Sequence, residues 1–255
     1  MATNYTPTEM LACVAARVLS NGKSVFVGTG LPMIAAMLAQ RTTAPDLLII
    51  FEAGGIGPRI PVLPVSVGDS RTFHQAVAAS SMHDVMSLAQ AGHVDYGFLG
   101  AAQIDRFGNV NTTVIGNYDH PKARLPGSGG ANDLGSFCHQ TIVVIRQDVR
   151  KFVKKLDFIT TPGYLTGPGA RERAGLPANS GPYRVVTQLA MYGFDKATCE
   201  MELIAPHPGV TTEQVQAESG FPIKVAEHVS VSEPPSSEER RLLREIDPKG
   251  LVIGG

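Results

Sequence analysis

Leu47, Leu48, Ile49, Ile50 and Phe51 form an unbroken apolar run. A strand with one face in water alternates, so five apolar side chains in succession call for a strand covered on both faces, as in a parallel sheet between helix layers. Directly after the run stand Glu52 and, two residues on, Gly54 and Gly55, which let the backbone turn where a Cβ would clash. A carboxylate at such a strand end is held on a rigid element and reaches the crevice in which open parallel sheets keep their chemistry. A simple return to solvent gives the same pattern, so position alone leaves a catalytic and a surface Glu52 both open.

The flanking segments extend this unit. Thr6-Pro7-Thr8-Glu9 combines a cap residue, a proline at the first helical position and a glutamate three after the cap. Met10, Leu11, Val14, Ala15, Val18 and Leu19 follow at helical spacing up to the stop at Asn21-Gly22. Ser24 to Val27 reads as a strand, Gly28-Thr29-Gly30-Leu31-Pro32 as a turn and Met33 to Gln40 as a helix. The run ending at Glu52 then completes a strand, helix, strand crossover with parallel strands. Pro58 to Gly68, broken by three prolines, reads as a loop over the active face. A helix is predicted over His83 to Ala91 and a buried strand over Val94 to Ala101. Val110 to Ile115 reads as that strand's neighbour across the turn Asp105-Arg106-Phe107-Gly108-Asn109, and Thr141 to Ile145 as a further apolar strand. Beyond residue 160 the alternation ceases. Tyr183 to Thr187 and Glu200 to Ile204, on either side of Gly193-Phe194-Asp195, predict antiparallel strands, and Thr211 to Gly220 and Ser236 to Glu245 predict capped helices. Ser230 to Ser237 reads as a flexible linker. The expectation is an α/β fold with an open, mostly parallel sheet flanked by helices and extended by antiparallel strands, in a single domain over residues 1–255.

Charge and cysteine usage narrow the function classes. Of 255 residues only 18% are charged, against an average of about 25%, which hints that part of the surface meets another subunit. The net charge is −1 and no basic cluster is denser than Lys151, Lys154 and Lys155, so neither nucleic acid nor an anionic membrane is an expected partner. No segment approaches the roughly 18 consecutive apolar residues of a membrane span, and no charged-then-apolar signal opens the chain; the expectation is a cytoplasmic protein. Cys13, Cys138 and Cys199 are odd in number and widely spaced, which points to neither a disulfide framework nor a metal site. Cys13 falls on the apolar face of the first helix and is assigned to the core. The seven histidines show no HExxH or other paired spacing. Each reads as a satisfied or exposed side chain, with His74 and His120, both in polar loops, kept for inspection.

Three glycine clusters remain. Gly28-Thr29-Gly30 resembles the start of a dinucleotide turn but has Met33 where the third glycine belongs, and no GxxxxGK[ST] phosphate loop exists. Gly127-Ser128-Gly129-Gly130 leaves backbone N–H groups unhindered, which suits a pocket for a developing oxyanion and equally a flexible surface loop. Gly163, Gly167 and Gly169, interleaved with prolines, read as a substrate-facing or interface loop.

The strings NYTPTEM, GTGLP, APDLLIIFEAGG, VSVGDSR, GAAQIDRFGNVNTTVIGNYDHPKARLPGSGGAN, DFITTPGYLTGPGARERAGLP and EIDP, in this order and spacing, resemble the beta subunits of the glutaconate CoA-transferase group of class I CoA-transferases. The resemblance runs nearly end to end. It implies a homologous alpha subunit as partner, an acyl-CoA and a carboxylic acid as substrates, and coenzyme A as substrate with no permanently bound cofactor. It also implies Glu52 as nucleophile, Gly127, Ser128, Gly129 and Gly130 as the oxyanion loop, and an active site between chains with much of the CoA surface on the alpha subunit. A glutamate carboxylate is an oxygen nucleophile for a thioester carbonyl when donors stabilise the oxyanion, so the residue types agree with that carry-over. The family follows its glutamate with a small residue and one glycine, whereas here Ala53-Gly54-Gly55-Ile56-Gly57-Pro58-Arg59 follows, and the segment from Pro61 to Ser87 is shorter. The acyl group is therefore not carried over. Arg59 and Arg71 are candidates for gripping a distal carboxylate with a guanidinium fork, or else are solvated surface charges. Acyl-CoA hydrolysis or decarboxylation on the same scaffold, and a non-catalytic binding module, are the alternatives; relatives with the first two activities typically replace the glutamate that is present here.

Overall fold

The computed structural model describes residues 4–254. Helix α1 (Pro7–Arg17) opens on the expected capping box: Thr6 Oγ1 accepts from the Glu9 amide at 3.1 Å, and the Glu9 carboxylate accepts from the Thr6 amide at 2.8 Å. Strand β1 (Ser24–Val27), helix α2 (Leu31–Arg41) and strand β2 (Leu48–Ile50) follow. The chain then reverses into β3 (Gly55–Ile56), passes a 3₁₀ turn at Ser70–Phe73, and forms β4 (Ala78–Ala79), α3 (Met82–Gln90) and β5 (Tyr96–Gly100). Two ribbons come next: β6 (Gln103–Ile104) with β7 (Val110–Asn111), and β8 (Val114–Gly116) with β9 (Pro121–Arg124). Helix α4 (Ala131–Phe137), β10 (Gln140–Val144), α5 (Ala170–Arg173), β11 (Gly181–Val186), β12 (Ala190–Phe194) and β13 (Met201–Pro206) lead to α6 (Thr212–Ala217), β14 (Lys224–Val225) and α7 (Ser237–Ile246).

Ten strands form one sheet in the order β14-β13-β12-β11-β10-β5-β1-β2-β3-β4. Its centre, β11 to β2, is parallel throughout, and β12 and β13 on one side and β3 and β4 on the other pair antiparallel. The central strands are apolar on both faces because both faces are covered. Val25, Val27, Ile49, Phe51 and Phe98 pack in one cluster with residues of α1, α2 and α7. Phe26, Ile50 and Leu99 point the other way, against Val85 and Ala89 of α3 and Leu134 of α4. Period-two alternation thus sorts each strand between two helix layers. Cys13 lies in the first cluster, fully buried as assigned from its helical face.

Three expectations give way. Val110 to Ile115 is not the sheet neighbour of β5, which pairs with β10 and β1 instead; Asn111 turns this segment, its side chain accepting from the amides of Thr113 and Val114, so its halves pair in separate ribbons. The two predicted strands are not neighbours: β12 (Ala190–Phe194), which includes Gly193 and Phe194, lies between them and pairs antiparallel with each. Ser230 to Ser237 is tied down rather than free: the Ser230 and Ser232 amides donate to the Ile204 and Pro206 carbonyls, and Arg17 Nη1 and Nη2 donate to the Glu233 and Pro234 carbonyls.

The same segment seals a buried histidine. His207 is 3% exposed, its Nε2 donates to the Thr187 carbonyl at 2.8 Å, and its Nδ1 lies 3.1 Å from the Ser232 hydroxyl. Burial lowers its pKa below the ordinary 6.5, so the unfolded chain takes up the proton at a higher pH than the folded one. Its contribution to stability is complete above the ordinary histidine range and is lost as pH falls through the lowered folded value. Urea midpoints are therefore expected to fall as the pH drops below about 6.5, and His207→Gln to flatten that part of the profile; an identical slope in the variant would place the titration elsewhere.

Candidate active site

Glu52 sits on the turn that ends β2. The Gly54 amide donates to the Phe51 carbonyl and the Phe51 amide to the Gly55 carbonyl, both at 2.9 Å, and Ile50 pairs with Ile56, so the chain doubles back directly beyond the apolar run. Gly54 adopts φ +108°, and a β-carbon there would stand 2.0 Å from the Ser80 carbonyl oxygen; one on Gly55 would stand 2.2 Å from that of Thr72. Both glycines are thus required by backbone packed on backbone. Glu52 takes the first central position of the turn and is half-buried.

The turn borders a crevice of about 490 Å³ outside the carboxyl ends of β1, β2 and β5. From β1 the chain crosses to β2 on one side and later to β5 on the other, so the crevice lies where the strand order reverses. Gly28 and Thr29 after β1 line one wall and Gly100 to Ala102 after β5 another. The Gly127–Gly130 loop lines a third, and a β-carbon placed on Gly129 would lie 3.8 Å and 3.9 Å from the two Glu52 carboxylate oxygens. The loop is pinned at both ends. The Gly127 amide donates to the Thr112 carbonyl at 2.9 Å, Thr112 Oγ1 donates to the Gly127 carbonyl at 3.0 Å, and the Ala131 amide donates to the Ser128 carbonyl at 2.7 Å. Between these ties the amides of Ser128, Gly129 and Gly130 donate to no acceptor among the described residues. Gly127 and Gly129 have φ of +93° and +46°, conformations that keep side chains off this wall.

Among the described lining residues Glu52 is the one ionisable group, set in mostly apolar walls beside the loop that carries the uncommitted amides. In a weakly polar crevice such donors act strongly on an oxyanion that develops near them. Cys13 and Cys138 are buried and pushed up to about 12 by that burial, which removes thiolate chemistry at either position. No three or more His, Cys, Asp or Glu side chains gather as a metal ion would need among the described residues.

The structure brings Glu52 and the Gly127–Gly130 loop together and leaves both candidate arginines outside the crevice. Arg59 is exposed and its Nη1 donates to the Pro45 carbonyl at 2.7 Å. Arg71 is committed to Asp69 through Nε and Nη2, with Nη1 on the Leu63 carbonyl at 3.0 Å, and its hydrogen bonds hold the Asp69 carboxyl well below the usual range. Arg71 fastens a loop, and that loop delivers Val67 to the crevice wall. His74 and His120 are exposed, neither lining the crevice, and Gly163 is buried against the Gly108 carbonyl carbon rather than facing a substrate. Val67 comes from the Pro58 to Gly68 loop expected over the active face, whereas sequence reasoning passed over Thr112 and the Gly100-Ala101-Ala102 wall. The small residues directly after the Tyr96–Gly100 strand were the signal available for the last of these.

The description "Coenzyme A transferase" belongs to the family model that matches residues 8–218. The chain is 42% identical over 252 residues to the B subunit of 3-oxoadipate CoA-transferase from Pseudomonas knackmussii, and 40% identical over 256 residues to the B subunit of glutaconate CoA-transferase from Acidaminococcus fermentans. Each alignment covers 98% of this chain and 96% of the relative. The crystal structure of glutaconate coenzyme A-transferase from A. fermentans superposes with a TM-score of 0.93 and 40% identity over the full length of both chains.

The geometry of the turn is testable in the fold itself. At φ +108° and 2.0 Å from a carbonyl oxygen, a methyl group on residue 54 forces the turn to move. Gly54→Ala is expected to lower unfolding stability by about 1–3 kcal/mol in urea titrations; a wild-type midpoint would show that the Ser80 contact does not hold the turn.

Proposed function

This chain belongs to the coenzyme A transferase family, and we propose that it is the nucleophile-bearing beta subunit of an enzyme moving CoA between a small dicarboxylic acyl-CoA and a carboxylic acid. Both relatives are B subunits, and by the same reading a homologous alpha subunit completes the crevice. Both are also named for dicarboxylic acids, which supports that acyl class here. CoA is a substrate in this scheme, not a resident cofactor.

One observation carries the reading: the Glu52 carboxylate shares a single crevice with the loop whose Ser128, Gly129 and Gly130 amides are uncommitted among the described residues, and Gly129 lies beside it. A Glu52 oxygen attacks the thioester carbonyl, the oxyanion accepts from the Ser128–Gly130 amides, and the C–S bond breaks to give an acyl-glutamyl anhydride and CoA thiolate. The thiolate attacks the Glu52 carbonyl carbon and expels the first acid as its carboxylate, leaving a glutamyl-CoA thioester. The acceptor carboxylate then attacks this thioester, expelling CoA thiolate and forming a second anhydride. The thiolate attacks the acceptor's acyl carbon, releasing the new acyl-CoA and the Glu52 carboxylate. Each step exchanges one acyl bond for another, so no water, oxidant or metal enters. Loss of one oxyanion donor typically slows such a reaction by about 10²–10³-fold, comparable in consequence to a misplaced nucleophile.

The complex with its alpha subunit, incubated with acyl-CoA and no acceptor, is expected to carry CoA on the Glu52 peptide. Borohydride should reduce that thioester to an alcohol visible by mass spectrometry, and Glu52→Gln should form no adduct. Turnover without any trappable adduct, or an adduct on another residue, would remove Glu52 from the nucleophile's role.

A further inference from the structure

Arg171 is among the largest fully buried side chains of the protein, 2% exposed, and its partners are carbonyls and a hydroxyl rather than a carboxylate. Nη1 donates to the Pro162 and Gly163 carbonyls at 3.0 Å and 2.9 Å. Nη2 donates to Ser180 Oγ at 2.8 Å and to the Gly135 and Ser136 carbonyls at 3.1 Å and 3.4 Å. Nε has no acceptor among the described residues. Burying a cation without a counter-ion is unfavourable, so a side chain kept in this state holds its position through the carbonyls it gathers. Two of them, on Gly135 and Ser136, lie in the last turn of α4, where helix carbonyls lack intrahelical donors.

Helix α4 is held along its length. At its far end Thr161 Oγ1 donates to the Ala131 carbonyl at 3.1 Å and Asn132 Nδ2 to the Thr160 carbonyl at 3.1 Å. In the middle the contacts are close enough to demand glycine: a β-carbon on Gly135 would stand 2.1 Å from Thr161 Cγ2, and one on Gly97 of β5 would stand 3.2 Å from Leu134. A seven-residue helix is about 10 Å long and stiff, so a shift at one end reaches the other. That other end is continuous with Gly130 and the loop facing Glu52.

We propose that Arg171 is a positioning residue that fixes the placement of α4 and thereby aims the Ser128–Gly130 amides at the carbonyl oxygen of the acyl group that Glu52 attacks. This rests on the oxyanion role given to that loop above. A guanidinium fork can satisfy acceptors on three separate chain segments at once, whereas the single ammonium of a lysine cannot span them. Donors aimed at a developing oxyanion act in the transition state more than in the bound substrate, so their displacement lowers kcat more than it raises KM.

The test uses the complex with its alpha subunit, with active sites counted by exhaustive borohydride trapping of the Glu52 thioester. Arg171→Lys is expected to lower kcat per trappable site by about 10²-fold while KM for acyl-CoA stays within about threefold, the scale of misalignment by an ångström. Arg171→Met should be lower still. A purely structural arginine would reduce the number of trappable sites and leave kcat per site at the wild-type value, which would overturn the proposal. If neither arginine variant folds, Thr161→Val removes the bond to the Ala131 carbonyl with little change of shape: a fall in kcat per site at steady KM upholds the positioning of α4, and a wild-type kcat overturns it. Turnover without the adduct in the wild-type complex would overturn the nucleophile reading of Glu52 and this one with it; its presence alongside unimpaired variants would overturn this one alone.

Discussion

The Glu52 turn closes by packing backbone against backbone. Gly54 and Gly55 bring their α-carbons against the Ser80 and Thr72 carbonyl oxygens, and the Ser80 amide donates back to the Gly54 carbonyl at 2.9 Å. That contact leaves no room for a side chain at either position and fixes the turn on which Glu52 stands. Strand β2 anchors the other side of the turn through Ile49 and Phe51 in one core cluster and Ile50 in the other. A carboxylate carried between a doubly buried strand and a backbone seam is preorganised, as the proposed attack on a thioester carbon would require.

The facing wall is built by a different route to the same end. The Gly127–Gly130 loop gains its shape from the two Thr112 hydrogen bonds, from left-handed glycines and from the helix that follows it, with no contribution from side-chain charge. The two walls meet because β1 splits the chain's path between β2 and β5, leaving a gap at the carboxyl ends that the sheet cannot fill. A single carboxylate beside a loop of uncommitted amides, in walls that are otherwise mostly apolar, is the arrangement on which the proposed oxyanion chemistry rests.

What the sequence disclosed depended on how local the controlling forces are. The capping box at Thr6 and Glu9, the doubly buried run before Glu52 and the unhindered glycines at 127–130 are each decided within a few residues, and each stands where the pattern put it. Pairing is decided across the chain. Val110 to Ile115 has the apolar content of a sheet strand, yet Asn111 hydrogen-bonds to its own neighbours and to Gln103, which divides it between two ribbons. Arg59 and Arg71 have the chemistry to grip a carboxylate, but the Pro45 carbonyl and the neighbouring Asp69 engage them first; Asp69, two residues from Arg71, was a signal the spacing offered, and Pro45 was not. Arg171 is the clearest case. In sequence it sits among charged residues, Arg171-Glu172-Arg173, as a surface helix would have them; only the fold sends it inward to carbonyls from three segments.

The proposed carboxylate shuttle predicts an isotopic signature in Glu52. On that mechanism Glu52 gives one oxygen to the departing acid and takes one from the acceptor in each cycle. With acceptor acid labelled with ¹⁸O in its carboxyl group, the heteromeric enzyme is expected to accumulate heavy oxygen in the Glu52 side chain over successive turnovers, read by mass spectrometry of the peptide that contains it. Product formation over many turnovers with Glu52 still unlabelled would contradict the central claim.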